Sequence, residues 1–200
     1  MAITQEFPDL DGRRLRREQN REAVIDAMLA LFREGVYQPS TAEVAAKAGL
    51  SVRSLFRYFD DVNDLHRAAL DRELALALRL VDPRVGGAEP TPTKIAAVVR
   101  ARCELFEVIG PAARALRAAA NRRPMLAGQL GRNRAFLRQQ LGEIFAPELA
   151  ASAALLPALE VLCSFEAYEL LRHDQGLSRK RTEEALRTAV GVLLAAEVCA

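Results

Sequence analysis

The stretch Ser40–Asp61, "STAEVAAKAGLSVRSLFRYFDD", decides how this chain reads. Ser40 stands where a helix needs an N-cap, and Glu43 three residues later completes a capping box. Val44 points inward, and Ala45 is small where two helices cross closely. Gly49 takes the left-handed turn that stops the first helix. Ser51 then caps a second. A short helix, a tight glycine turn and a second helix at a steep angle make a helix-turn-helix. On a wheel of about 100° per residue, Val52, Leu55, Phe56 and Phe59 cluster on one side of the second helix, predicted to run over 51–59. Arg53, Ser54, Arg57 and Tyr58 fall on the other. That outward face suits a major groove, since arginine pairs with guanine and Ser and Tyr hold phosphate. The same pattern also describes an ordinary solvated helix face.

The two aspartates that close the stretch look out of place beside arginines. Asp61, however, sits where the next helix needs its N-cap, with Asp64 three residues on, and acids are favoured at a helix start. Upstream, "GRRLRREQNR" sets Arg13, Arg14, Arg16, Arg17 and Arg21 against one acid, Glu18. Such an arm can reach phosphates or a minor groove. It leads into a helix over 14–33 with Val24, Ile25, Met28, Leu31 and Phe32 on one face, stopped by Gly35.

"STAEVAAKAGLSVRSLFRYF", followed by a helix opening "DDVNDLHRAAL", resembles the DNA-binding domain of the TetR-type (TetR/AcrR) transcriptional repressors over about residues 17–70. Beyond that the likeness is one of length and helical architecture. The resemblance implies an N-terminal module over 1–61 and a helical ligand-binding and dimerisation domain over 62–200. It implies phosphate contacts from Ser40 and Thr41, a recognition helix capped by Ser51 with Val52, Arg53 and Ser54 at the bases, and Tyr58 on the backbone. Arg17, Phe56 and Arg57 complete the DNA-binding set. Two departures stand out. Phe56 replaces the family's usual tyrosine, leaving a ring to pack inward or on a thymine methyl, and Val62 replaces a lysine that commonly reaches phosphate.

The remainder reads all-α, with about nine helices in the chain and no alternating strand. Helices are expected over 62–80, 93–109, 112–122, 125–146, 151–173 and 179–199, with Pro111, Pro124 and Pro147 marking joints and Pro157 starting or kinking its helix. Candidates for an effector pocket are Arg102, Cys103, Phe106, Arg117, Asn121, Phe136, Phe165 and Tyr168; the effector itself is not legible. The same residues also describe a helical core with a charged rim. The segments 151–173 and 179–199 carry more apolar residues than one face needs, which the family resemblance assigns to a homodimer interface; closing the subunit's own core would use them as well.

Composition sets the limits. Of 200 residues, 50% are hydrophobic and 27% charged, which is a folded chain. The net charge of +2 is too small to argue for nucleic acid, so that case rests on local placement. Residues 1–11 lack the apolar segment of a secretory signal and no apolar run is long enough for a bilayer, so a cytoplasmic chain with no membrane partner is expected. Cys103, Cys163 and Cys199 have no metal-ligand spacing and read as small buried hydrophobes. His66, taken as a helix-surface residue, and His173 are the only histidines. No nucleophile elbow, phosphate loop or metal motif appears, so neither an enzyme nor a cofactor is expected. The sequence therefore predicts a ligand-released repressor binding a palindromic duplex operator as a homodimer. A protein-interaction module with a purely structural helix-turn-helix is the alternative.

Overall fold

The computed structural model describes residues 8–77 and 80–196, and among them there is no strand. Helix α1 spans Pro8–Arg33, α2 Thr41–Lys47, α3 Val52–Leu55 and α4 Val62–Ala77. They are followed by α5 Thr91–Ala120, α6 Pro124–Ile144, α7 Ala146–Leu149, α8 Leu155–Leu162, α9 Phe165–Glu169, a π-helical turn Leu170–Asp174 and α10 Arg179–Ala196. Leu78, Arg79 and the expected last residues of the final helix, with Cys199, lie outside the described residues, as does the Arg13 side chain.

Local chemistry sets most boundaries. Gly35 and Gly49 both adopt positive φ, at 85° and 69°. Each sits in a Schellman closure: Val36 N donates to Leu31 O and Gly35 N to Phe32 O, and Leu50 N donates to Ala45 O and Gly49 N to Ala46 O. Asp61 Oδ1 accepts the Asp64 N–H at 2.7 Å, so the closing aspartates start α4 as expected.

Three boundaries differ from expectation. The predicted joint at Pro111 is absent, because α5 is one helix of 30 residues with that proline inside it. Gly110 precedes it and offers no Cβ for the proline ring to strike. The buried face also continues through Ala112, Ala113, Ala115, Leu116 and Ala119, so packing on both sides holds the helix through the break. The single helix expected over 151–173 is divided. Ser164 caps a new start by accepting the Ala167 N–H at 3.1 Å and donating to Val161 O at 2.7 Å, and the segment ends in the π turn. Pro157 is the third residue of α8, inside the first turn where proline costs little. Finally, α1 begins at Pro8, before the expected residue 14, and Arg14, Arg16 and Arg17 stand on it.

Two cores share α5. The first gathers Val24, Met28 and Phe32 of α1, Val44, Leu55, Phe59, and Leu65 and Ala69 of α4, and takes in Ala112, Leu116 and Ala119 from the end of α5. The second gathers Val98, Cys103 and Phe106 from the start of α5 with Leu141, Leu159, Phe165, Leu186 and Val190.

Candidate nucleic-acid interface and helical cavity

The start of α2 has the expected capping box, and its chemistry is tighter than spacing alone implied. Glu43 N donates to Ser40 Oγ at 3.2 Å, while Ser40 N and Ser40 Oγ donate to Glu43 Oε2 at 2.8 and 2.7 Å. The backbone bond from Ser40, then its hydroxyl, holds the Glu43 carboxyl below its ordinary value. Both Ser40 donors are therefore engaged, and a phosphate would have to displace Glu43 to receive either. Thr41, the first residue of α2, is half-buried beside it.

Helix α3 corrects the wheel. Leu55 and Phe59 are buried at 0% and 2% exposure, but Val52 and Phe56 stand outward at 38% and 45%. The cause is length. Regular helix ends at Leu55, after which Arg57 N bonds Ser54 O and Tyr58 N bonds Leu55 O, so a 100° step no longer holds. The outward surface is thus Val52, Arg53, Phe56 and Arg57, two apolar and two cationic groups. Ser51 caps the helix through the Ser54 N–H at 3.1 Å, and the two hydroxyls share a bond of 2.9 Å.

Beside this surface lies a cleft lined by Arg16, Arg17 and Asn20 of α1 with Arg57 and Tyr58. Asn20 Nδ2 donates to the Tyr58 hydroxyl at 2.9 Å, which fixes that half-buried ring while leaving its proton free to be donated. The Arg21 guanidinium lies 5.2 Å from the Phe59 ring centroid and joins α1 to the segment that follows α3. Every charged residue lining the cleft is arginine. The local field is therefore positive although the whole chain is nearly balanced. Asp64, in turn, accepts from the Asp60 N–H at 3.3 Å and pairs with Arg67, so the acids next door are used within α4.

The second feature is a cavity of about 130 Å³ between α4, α5, α6, α8 and α9. Of the eight expected pocket residues, Phe106, Arg117 and Phe165 line it. The other five do not. Cys103 is fully buried in the second core, and burial pushes its thiol up to about 12 and that of Cys163 to about 11. Asn121 is exposed at the end of α5, and Phe136 points outward at 49% exposure. Tyr168 is turned to Glu107, whose carboxylate accepts its hydroxyl proton. Arg102 is buried one turn before Phe106. Sequence reasoning missed the contribution of α4, namely Leu70, Glu73 and Leu74, and that of Leu137 on α6. The apolar period of α4 showed that it was buried but not against what.

The cavity rim is tied by ion pairs. Glu166 pairs with Arg117 at 2.9 Å and with Arg134, and Arg138 pairs with Glu160 at 2.9 Å. Burial pushes the Glu166 carboxyl up, but hydrogen bonds and charge from Arg117 and Arg134 outweigh it and bring it down to about 2. Arg117 also lies 4.3 Å from the Phe165 ring centroid. Glu73 is buried and accepts from Arg33 of α1 at 2.8 Å, connecting the cavity wall to the first helix.

His66 is a correction. It is 1% exposed, packed 5.8 Å from the Phe32 ring, with Nε2 unpaired among the described residues. The sequence put it on the helix surface, whereas the face of α4 that carries it is packed against Phe32 of α1. Burial first, and the Arg123 charge second, lower its pKa to about 4.

No protein-family model matches the chain, and no curated protein matches its sequence. Solved structures do match its fold. A transcriptional regulator from Rhodococcus sp. Rha1 superposes over 88% of this chain and 96% of its own, with a TM-score of 0.70 and 18% identity. A TetR-like transcriptional regulator from Rhodococcus sp. RHA1 covers 90% and 96%, with a TM-score of 0.61 and 19% identity. The multidrug binding protein EbrR, complexed with imidazole, covers 84% and 93%, with a TM-score of 0.53 and 22% identity. The chain has the all-α fold of TetR-type regulators.

Proposed function

We propose that this chain is a TetR-type transcriptional regulator: a homodimer that binds a palindromic operator and is released from it by a small ligand, acting as a repressor in the cytoplasm. The observation that carries the reading is the outward face of α3, Val52, Arg53, Phe56 and Arg57, adjoining a cleft whose only charges are arginines. Arg53 and Arg57 have the donors for base edges and phosphates, and Val52 and Phe56 have the apolar surface for thymine methyls. Arg16, Arg17 and Tyr58 would hold the neighbouring backbone. The fold shared with solved regulators supports the assignment.

The sharing of α4 supports ligand release. Its Leu65 and Ala69 belong to the helix-turn-helix core, while Leu70, Glu73 and Leu74 wall the cavity. An occupant that favours one setting of α4 shifts the spacing of two recognition helices in a dimer, which is a coupling between sites in the thermodynamic sense. The domain division follows the same line, with the reading module over 1–61 and the ligand and dimer domain over 62–200.

The test is an anisotropy titration against the DNA upstream of the chain's own gene, with random duplex as control. Specific binding should exceed random binding at physiological salt. Arg53→Ala should cost about 1–3 kcal/mol on the operator and little on random duplex. Tyr58→Phe and Arg17→Ala should weaken all sequences alike, the latter lowering the salt slope by about one. Equal binding of operator and random duplex, insensitive to Arg53, would leave a helical interaction module whose helix-turn-helix is structural only.

A further inference from the structure

The cavity between α4, α5, α6, α8 and α9 has an apolar interior and a charged edge. Phe106, Leu116, Leu141 and Phe165 of its wall are buried, with the two aromatic rings packed edge to face at 5.5 Å. The side chains of Arg134, Arg138 and Glu166 are about half exposed, so the cavity meets solvent where its charges stand. The space of about 130 Å³ is close to that which takes a single benzene ring elsewhere.

The charges at that edge do not balance. The wall carries Arg117, Arg134 and Arg138 against Glu73, Glu160 and Glu166, and Glu73 is taken by Arg33 of α1, which is not a wall residue. Three guanidiniums thus face two carboxylates. Arg138 pairs with Glu160 at 2.9 Å. Arg117 and Arg134 both donate to one oxygen of Glu166, Oε1. Among the described residues the only other bond of this pair runs from Arg117 Nη1 to Ala113 O at 3.2 Å. A guanidinium carries five N–H donors, so most of those on Arg134, and Nη2 of Arg117, meet no protein acceptor. The Arg117 guanidinium also lies 4.3 Å from the Phe165 ring centroid, which fixes it before any ligand arrives.

What the two arginines already hold indicates what else they would take. Glu166 offers them a carboxylate at the edge of the cavity, and a second carboxylate would meet the donors that Glu166 leaves. We infer that the cavity binds a small aromatic carboxylic acid, its ring against Phe106 and Phe165 and its carboxylate at the edge on Arg134 and Arg117. This rests on the reading of the cavity as the effector seat and adds the ligand's chemical class. The bound acid restores one carboxylate to each guanidinium, which a neutral ligand cannot do and a cation would make worse.

Isothermal titration of the full chain with phenylacetate, 2-phenylethanol and 2-phenylethylamine tests it. The acid should bind about fivefold tighter than the alcohol or more, the margin of a charge-assisted bond at a half-exposed site, and the amine should bind no tighter than the alcohol. Arg134→Gln, a change on an exposed side chain, should erase the acid's margin and leave the alcohol's affinity unchanged. Glu166→Gln should widen the margin, because it removes the carboxylate that competes for both arginines. Equal affinities for acid and alcohol, binding of no probe, a margin that survives Arg134→Gln, or one that shrinks in Glu166→Gln would overturn the inference. Tightest binding of the amine would also overturn it and put the ligand's charge on Glu73. Operator binding without ligand is read separately. An intact operator titration with no acid preference would sink this inference and spare the regulatory reading, and the converse result would spare the acid site.

Discussion

Leu55 and Phe56 are neighbours in sequence with opposite roles, and truncating each separates folding from recognition. Leu55 has no exposed surface, so Leu55→Ala should destabilise the chain by about 2–5 kcal/mol in urea unfolding. Phe56 is 45% exposed, so Phe56→Ala should change stability by less than about 0.5 kcal/mol. On a cognate operator it should still cost about 1 kcal/mol, the scale of one lost base contact. A large stability loss for Phe56→Ala would mean that the ring is core after all. His66 makes a second prediction at this scale. Its folded pKa, about 4, lies below the unfolded value near 6.5. The unfolded chain therefore takes up the proton first, so the contribution of His66 is intact above pH 6.5 and is lost as pH falls toward 4. Between pH 7.5 and 5 the wild type should lose roughly 2 kcal/mol more than His66→Leu in urea titrations. Parallel pH profiles would refute the assignment. The residues legible in the sequence were those whose partners lie within a turn: Ser40 with Glu43, Ser51 with Ser54, Asp61 with Asp64. His66 was misread because its burial depends on Phe32 of α1, far off in the chain, and the wheel misplaced Phe56 because α3 ends early.

Among the elements, the turn between α2 and α3 depends on a single residue. Gly49 has φ +69° and a Cβ placed there would meet nothing within 4 Å, so space is not the obstacle. Gly49→Ala should therefore cost about 1–2 kcal/mol through backbone conformation alone, and Gly49→Asn less, read as shifts in urea midpoint at constant slope. Equal stability of all three chains would mean that the turn relaxes into another form. The contrast with α5 is physical. A glycine turn is imposed by local sterics and can be read from one residue, whereas the passage of α5 through Pro111 depends on packing at both ends. Proline alone suggested a joint, and only the two cores that α5 serves explain its continuity. The same holds for Ser164, a cap within an apolar run whose signal was present but outweighed by period.

For the molecule as a whole, the four-residue α3 sets the requirement. In the proposed regulator so short an element reaches too few base pairs for a specific site, and a twofold pair reading successive major grooves would supply the rest. The described surface offers the means at its C-terminal end. Val161 of α8 and Val192 of α10 are each 65% exposed, and Leu170 in the π turn is 49% exposed. Apolar side chains this open on adjoining helices suit a surface completed by a second copy. Val192→Asp should then convert the dimer to a monomer in sedimentation velocity without changing helical content by circular dichroism. Operator affinity should fall about 100-fold or more, because the second half-site no longer binds as a linked event. Random-duplex binding, which needs only the arginine cleft of one subunit, should change far less. An unchanged dimer mass with intact operator affinity would move the interface off α10 and leave Val192 an ordinary exposed residue. A monomer that still binds its operator fully would instead remove the need for twofold symmetry that the length of α3 implies.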